Sequence, residues 1–302
     1  MTQYTAPNFN VPPSFMGIKV TDPCAEVVIT GIPFDYGTVN RAGTRFGPAA
    51  LREASRMLYD GQHPEFWVDP KQLNMADVGN MPVRPCLVAE NLRLIEEQSL
   101  AYKHVVALGG DHLVTLPLLR AARKKAGQPL ALVHFDAHTD CWPTSFGTTY
   151  GHSSVFYHAV HEGLIDPVAY VQIGIRAKTE PYVTDWCKQK NITTLSAMDI
   201  HLHGPAAGAE RVRAVVGQRP TYLTFDIDCY DPSAAPGTGS PESGGLLPWQ
   251  GIYMMRQLAG LNFISMDLVE VSPPYDHAEI TAVLGATMVF EYLSLLALKA
   301  KK

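Results

Sequence analysis

Short apolar runs rich in β-branched residues alternate along this chain with longer segments of helical periodicity. The runs predict strands over residues 26–31, 105–108, 131–135, 169–175, 222–226 and 263–268. The helical spacing predicts helices over residues 47–57, 87–102, 113–125, 179–190, 208–216, 248–258 and 279–299. Strands that are apolar throughout and alternate with helices are typical of a parallel sheet covered on both faces. The pattern therefore predicts an α/β fold.

The first residues depart from this pattern. Residues 2–15 are polar and proline-rich without core-forming periodicity, so we assign 1–20 to an N-terminal arm and 21–302 to a single domain. No apolar run opens the chain, which argues against a secretory signal. The apolar stretch 282–298 is shorter than a typical membrane span and contains Glu291, so we expect a buried C-terminal helix and no membrane partner.

The composition narrows the classes of partner. The 302 residues carry a formal net charge of −5 without a basic tract, which argues against nucleic acid as a partner. Apolar residues make up 46% and charged residues 18% of the chain, as in a well-packed folded domain. The five cysteines are scattered and form no C-x-x-C pair, so we expect reduced thiols and a cytoplasmic location.

Side chains that can bind a metal ion lie where three of the predicted strands end. They are His112, Asp136, His138, Asp140, Asp226 and Asp228. Because open α/β sheets place their ligand sites at the carboxyl ends of the strands, we expect these side chains to converge. Six such ligands exceed the four that one zinc ion takes, and they fit two metal ions about 3.5–4 Å apart that activate a shared water.

Four segments around these residues resemble the motifs of a known family. They are residues 109–112, 136–140, 226–232 and 265–273, supported by residues 41–48 and 236–239. The chain resembles a ureohydrolase, the arginase and agmatinase family, and within it the bacterial agmatinase branch. The resemblance implies a three-layer α/β/α sandwich around a central, mostly parallel sheet, in which residues 21–302 form the catalytic domain. It also implies hydrolysis of a small guanidino compound to urea and an amine.

The same resemblance implies two manganese ions per subunit, with nickel or another divalent metal as the alternative. One ion would be held by His112, Asp136, Asp140 and Asp226, and the other by His138, Asp136, Asp226 and Asp228. Carboxylate-rich ligation favours manganese over zinc.

The resemblance further assigns Glu270, His152 and Asp140 to catalysis. Glu270 matches the family residue that accepts paired N–H bonds from the guanidinium, a task suited to a carboxylate. His152 matches the histidine that passes a proton to the leaving amine. Relatives usually have glycine after this histidine, so Ser153 leaves the shape of the substrate channel open.

The uncharged loop 141–151 is expected to meet the substrate tail. Thr148 stands where related chains often have an acid, and we expect Trp142, Phe146 and Thr148 to bind the tail, partly by cation–π contact. The absence of a basic residue from this loop disfavours arginine. Agmatine is therefore the first expectation, and 4-guanidinobutyrate, guanidine, another substituted guanidine or a biguanide are the alternatives.

Two other classes of protein fit the sequence less well. A deacetylase of similar architecture would use one zinc ion and leave His112 and Asp140 without a purpose. A non-catalytic paralogue, acting as a structural or regulatory subunit, would be expected to lack a ligand, Glu270 or His152, and none is missing. The resemblance favours a homo-oligomer, a trimer or hexamer, and a heteromeric partner subunit stays open.

Two further features lie beside the predicted ligands. His134 is expected to be a satisfied core histidine or a partner of a ligand, because it lies two residues before Asp136. Gly109 and Gly110 are expected to supply backbone freedom for a tight turn.

Overall fold

The computed structural model describes residues 13–301, so residues 1–12 of the predicted arm lie outside the described part. Within that part, eight strands and eight α-helices alternate. They are β1 (Val27–Gly31), α1 (Gly47–Ala54), β2 (Met75–Asn80), α2 (Val88–Ala101), β3 (His104–Leu108), α3 (Thr115–Ala126), β4 (Leu130–Phe135), α4 (Val155–His161), β5 (Ile165–Ile175), α5 (Pro181–Gln189), β6 (Thr193–Ser196), α6 (Ala197–Val216), β7 (Thr221–Asp226), α7 (Pro248–Gln257), β8 (Phe263–Val269) and α8 (Ile280–Ala300).

The strands form one sheet in the order β2-β1-β3-β8-β7-β4-β5-β6, and every neighbouring pair is parallel. The last strand of the chain, β8, lies between β3 and β7, where Met266 pairs with Val106 on one side and Leu223 on the other. The predicted parallel sheet is confirmed, and its four central strands are β3, β8, β7 and β4.

Two hydrophobic cores cover the two faces of the sheet. Residues of α1, α6, α7 and α8 pack in one core, and residues of α2, α3, α4 and α5 pack in the other. Successive residues of β3 alternate between them: Val106 faces the first core, while Val105 and Ala107 face the second. This arrangement confirms the three-layer sandwich.

The sequence pattern missed the short edge strands and part of the helices. Strand β6 has a half-buried, threonine-rich sequence, and β2 contains Asp77 and Gly79, so neither presents an apolar run. Helix α4 was not predicted. Helix α6 begins at Ala197 rather than at 208, because Gly204 (φ 84°) and the proline after it interrupt the helical pattern.

Two segments near the ends of the chain pack into the domain. Phe15 and Met16 of the predicted arm are buried, and their N–H groups donate to Asp77 Oδ2 (2.7 Å) and Ser55 Oγ (2.8 Å). An arm boundary at residue 20 stays a prediction. Helix α8 is the one helix in residues 13–301 that is long and apolar enough to cross a membrane, and 67% of its apolar stretch is buried in the domain. It is a core helix of the sandwich.

Candidate active site

The predicted metal ligands meet at the carboxyl ends of the four central strands. His112 follows β3, residues 136–140 follow β4, and Asp226 and Asp228 lie at the end of β7. Glu270 directly follows β8. Because neighbouring strands lie about 4.8 Å apart, four adjacent strand ends bring these side chains into one pocket.

The Nδ1 atom of His112 is surrounded by three carboxylates. The oxygens around His112 Nδ1 belong to Asp136 at 3.1 Å, Asp140 at 3.1 Å and Asp226 at 3.2 Å. On the other side of the ring, Nε2–H donates to Thr224 Oγ1 (2.9 Å), whose hydroxyl donates to Asp267 (2.6 Å). Because Nε2 is engaged in this way, Nδ1 is the ring nitrogen left to bind a metal ion, and it has no hydrogen-bond partner among the described residues. Burial alone would lower the pKa of this imidazole, but the three carboxylates hold it well above its ordinary value. A buried ring nitrogen about 3 Å from three carboxylate oxygens fits a metal cation held between them.

A second group of ligands lies on the other side of Asp136. His138 Nδ1 is 3.0 Å from Asp228 Oδ2 and 3.4 Å from Asp136 Oδ1. Asp136 thus turns one oxygen toward His112 and the other toward His138, as a carboxylate shared by two ions would. Asp226 faces the His112 group of ligands, with Oδ2 3.2 Å from His112 Nδ1. The sharing of Asp226 between the two ions stays a prediction.

The carboxylates of the two groups are crowded enough to repel one another. Burial and the nearby carboxylates of Asp228 and Asp136 raise the pKa of Asp226 well above its ordinary value. Burial and Asp136 likewise raise the pKa of Asp228. Burial opposes the ionisation of Asp136, but the imidazoles around it hold its pKa well below the ordinary value. We therefore expect this buried cluster of carboxylates to bind cations that balance its negative charge.

Glu270 is held in an unusual backbone conformation with one oxygen unpaired. Its φ of 64° and the φ of 48° at Asp140 both lie in the left-handed region that non-glycine residues seldom adopt. Oε1 accepts the backbone N–H of His112 (2.9 Å) and faces His152 Nδ1 (3.2 Å). Oε2 is buried without a partner among the described residues, so it is available to an N–H donor from a ligand.

His152 is biased toward its charged form. Burial alone would lower the pKa of this imidazole, but the hydrogen bond and charge of Glu270 outweigh burial and raise the pKa to about 9. The His152 ring is therefore protonated on both nitrogens and positively charged at neutral pH in the metal-free protein.

A cavity of about 470 Å³ opens above these groups. Trp142 and Phe146 line it, and Ser153 also reaches it, although Phe146 is 86% exposed. Their binding of the substrate tail stays a prediction. Thr148 is outside the lining, because its hydroxyl donates to Ser145 O (2.6 Å) within its own loop. The position of Thr148 therefore gives no support to the predicted role in substrate binding.

The cavity also contains two charged residues that sequence reasoning missed. Lys178 and Glu180 line it from the loop after β5, and Glu180 Oε2 accepts the indole N–H of Trp142 at 2.6 Å. Loop 141–151 itself carries no charge, but Lys178 and Glu180 add a charge of each sign to the cavity that it lines. A signal was present, because a strand was predicted over 169–175 and the loop after a parallel strand lies at the same sheet edge as the ligands.

The glycines before His112 are needed for space rather than for backbone freedom. A side-chain carbon on Gly110 would lie 1.7 Å from Phe34 O, and one on Gly109 would lie 2.6 Å from a methyl carbon of Val269. Neither glycine has a positive φ. The expected need for backbone freedom is therefore not supported by the φ angles, and close packing explains these glycines.

Comparison with known proteins gives a consistent result. The sequence profile of the arginase family matches residues 25–294. An agmatinase from Serratia proteamaculans (strain 568) is 44% identical over 287 residues, covering 93% of this chain and 90% of that protein. The crystal structure of a hypothetical agmatinase from Burkholderia thailandensis has a TM-score of 0.91 and 39% identity, covering 98% of this chain and 94% of that chain. Proclavaminate amidino hydrolase from Streptomyces clavuligerus has a TM-score of 0.92 and 35% identity, with coverage of 97% and 99%.

Proposed function

Because this chain belongs to the arginase family, we propose that it hydrolyses agmatine to putrescine and urea at a pair of divalent metal ions. One observation carries the proposal: two buried, unpartnered atoms lie in the same site. His112 Nδ1 lies among three carboxylates, which suits a metal ion, and Glu270 Oε2 suits the N–H group of a guanidinium.

The six predicted ligands would hold the metal pair, and they are His112, Asp136, His138, Asp140, Asp226 and Asp228. When bound, two such ions supply Lewis acidity and lower the pKa of a bound water. Four of the six ligands are carboxylates, whose hard oxygen atoms favour manganese, with nickel as the alternative.

Glu270 and His152 would divide the remaining work. Glu270 would orient the planar guanidinium through Oε2, since Oε1 is already engaged by the His112 N–H. The oxygen of water adds to the guanidinium carbon, and the bond from that carbon to the alkyl-bearing nitrogen then breaks. His152 would give the leaving amine its proton, which the Glu270 carboxylate favours by raising the pKa of the imidazole to about 9.

The far end of the substrate would meet Glu180. This carboxylate is fixed by the Trp142 indole N–H (2.6 Å) and lines the same cavity as Glu270. A substrate with a guanidinium at one end and an ammonium at the other would place a cation on each carboxylate. Trp142 and Phe146 would cover the alkyl chain between them.

A second candidate substrate is a guanidino acid such as 4-guanidinobutyrate. Lys178 favours it, because this cation lines the cavity beside Glu180 and could pair with a substrate carboxylate. The reaction and the guanidinium end of the site would be the same for both candidates.

We also expect a homo-oligomer, a trimer or hexamer, located in the cytoplasm. A heteromeric partner subunit is the alternative.

Urea release by purified, manganese-loaded protein tests the proposal on a panel of guanidino compounds. We expect urea and putrescine from agmatine and no activity in a His138→Asn variant, whose imidazole can no longer bind the second ion. Urea from 4-guanidinobutyrate alone would replace agmatine and keep the reaction. No urea from any compound, with two metal ions bound per chain, would overturn the proposed hydrolysis by this chain alone.

A further inference from the structure

A row of polar side chains crosses the sheet directly beneath the metal ligands. Its members are paired in register from strand to strand: Asp267 on β8, Thr224 on β7, His134 on β4, Gln172 on β5 and Thr194 on β6. We call these five residues the polar row. Since side chains on a strand alternate with a period of two, His134 and Thr224 share a face with the ligands two residues after them, Asp136 and Asp226.

One half of the polar row supports His112, as described above, through Thr224 and Asp267. The other half reaches Asp136. His134 Nε2 lies 2.6 Å from Asp136 Oδ2, and His134 Nδ1 lies 2.8 Å from the hydroxyl of Tyr170. His134, Tyr170 and Gln172 are completely buried, so water cannot replace a missing partner.

Groups that can only accept a hydrogen bond orient several of the contacts in this half. Gln172 Nε2 donates to Thr139 O (3.1 Å), a carbonyl that can only accept, which leaves Oε1 to accept from Thr194 Oγ1 (2.9 Å). The second hydrogen on Gln172 Nε2 reaches the Tyr170 oxygen at 3.1 Å. Tyr170 can then donate its own hydrogen to His134 Nδ1. Burial raises the pKa of Tyr170, which keeps this phenol protonated.

Because an ionised carboxylate can only accept, His134 donates its Nε2–H to Asp136, while its Nδ1 faces the Tyr170 hydroxyl. Both ring nitrogens are occupied. His134 is close enough to His112 and Asp136 to be counted as a ligand by distance, but it has no lone pair left for a metal ion.

We propose that His134 is a positioning residue for the metal site: its Nε2–H holds the Asp136 carboxylate so that one oxygen faces each group of ligands. The inference rests on the proposed metal-dependent function. The polar row also fixes the backbone of the same motif through Thr139 O. Residues 136–140 are thus connected to β5 directly through Gln172 and indirectly through His134 and Tyr170. Outer partners of this kind orient a ligand and tune its affinity for metal.

Mn²⁺ titration of the metal-free protein by calorimetry tests the proposal. Tyr170→Phe removes the hydroxyl that fixes the His134 tautomer, and His134→Leu removes the donor to Asp136. We expect each to weaken Mn²⁺ binding by about 10–100-fold, the usual effect of losing an outer partner. His134→Gln keeps a donor near the Nε2 position and is expected to recover most of the loss seen in His134→Leu.

Tyr292→Phe is the matched control. Tyr292 is equally buried and its hydroxyl bonds another histidine, His104 Nε2 (2.8 Å), at the amino end of β3 away from the ligands. Its removal should cost stability without changing Mn²⁺ affinity. Equal losses in Tyr292→Phe and Tyr170→Phe would overturn the proposal, because they would reflect general loosening of the core.

The tautomer of His134 is a second readout that needs no metal. In the metal-free protein labelled with ¹⁵N-histidine, NMR should find His134 protonated on Nε2 alone, assigned by its loss in His134→Leu. Protonation on Nδ1 alone, with no proton on Nε2, or unchanged Mn²⁺ binding in Tyr170→Phe, would overturn the positioning role and leave the proposed function intact. A wild-type protein that binds no divalent ion would instead overturn the proposed function itself.

Discussion

Glu270 Oε1 lies 3.2 Å from His152 Nδ1, so the carboxylate proposed to hold the guanidinium directly contacts the imidazole proposed to protonate the leaving amine. The two groups therefore cannot be changed independently. A substitution at Glu270 removes a binding charge and also removes the interaction that raises the pKa of His152.

Glu270→Gln is expected to lower kcat/KM for agmatine by at least about 10²–10³-fold, because a neutral amide stabilises a guanidinium poorly. Steady-state urea production measures the loss, and Glu210→Gln on the exposed face of α6 is the matched control. A Glu270→Gln enzyme within tenfold of wild type would contradict the assigned role.

The stability of the metal-free protein should depend on pH through His152. Its folded pKa of about 9 exceeds the unfolded value of about 6.5, so the folded state binds the proton more tightly. The stabilisation is complete below about pH 6.5 and is lost as pH rises through about 9. Urea unfolding should find metal-free wild type more stable than His152→Gln by up to about 3 kcal/mol at pH 6, with most of the pH-dependent difference gone by pH 10. A difference that does not change with pH would contradict this explanation.

The two charged residues of the cavity should discriminate between substrate tails. Glu180→Gln is expected to raise KM for agmatine about fivefold, since an exposed ion pair contributes roughly 1 kcal/mol. It should leave 4-guanidinobutyrate unchanged or improved. Lys178→Met is expected to raise KM for 4-guanidinobutyrate and to leave KM for agmatine unchanged or improved. Glu210→Gln should affect neither substrate. Equal changes for both substrates would mean that Glu180 does not contact the tail.

Removal of metal should destabilise the protein, because the crowded carboxylates at Asp226 and Asp228 then lose their cations. Mn²⁺ at about 100 times its Kd stabilises a folded protein by about 2.7 kcal/mol, which corresponds to a Tm increase of roughly 4 °C for a domain of this size. Differential scanning calorimetry with Mn²⁺ and with EDTA measures the shift. Asp136→Asn should abolish most of it, and a wild-type Tm insensitive to both additions would contradict a metal site.

The sequence alone was sufficient to predict the site residues that lie at the ends of strands. The apolar run 130–135 identifies strand β4 in the sequence, and Asp136, His138 and Asp140 follow that strand. Parallel strands bring such ends together at one edge of the sheet. The edge strands β2 and β6 escaped because they are half-polar, and polar strands resemble loops in a sequence.

The cavity wall and the polar row could not be predicted in the same way. The position of Glu180 depends on how the loop after β5 bends back toward Trp142, which no local pattern encodes. The direction of the hydrogen bonds at His134 depends on the register of three strands at once. A partial signal existed, since His134 and Thr224 are polar residues inside apolar strands, each two residues before a ligand.

The location of β8 has a consequence for the order in which the molecule is built. Strands β2, β1 and β3 form one block of the described sheet and β7, β4, β5 and β6 another, and β8 (residues 263–269) pairs with both. During synthesis on the ribosome, the inner edges of both blocks stay unpaired until residues 263–269 have emerged. Unpaired edges are prone to pair with other chains, so this is the stage at which a nascent chain most needs protection. His112 and Asp136 belong to different blocks, and a complete metal centre therefore cannot form before β8 is inserted.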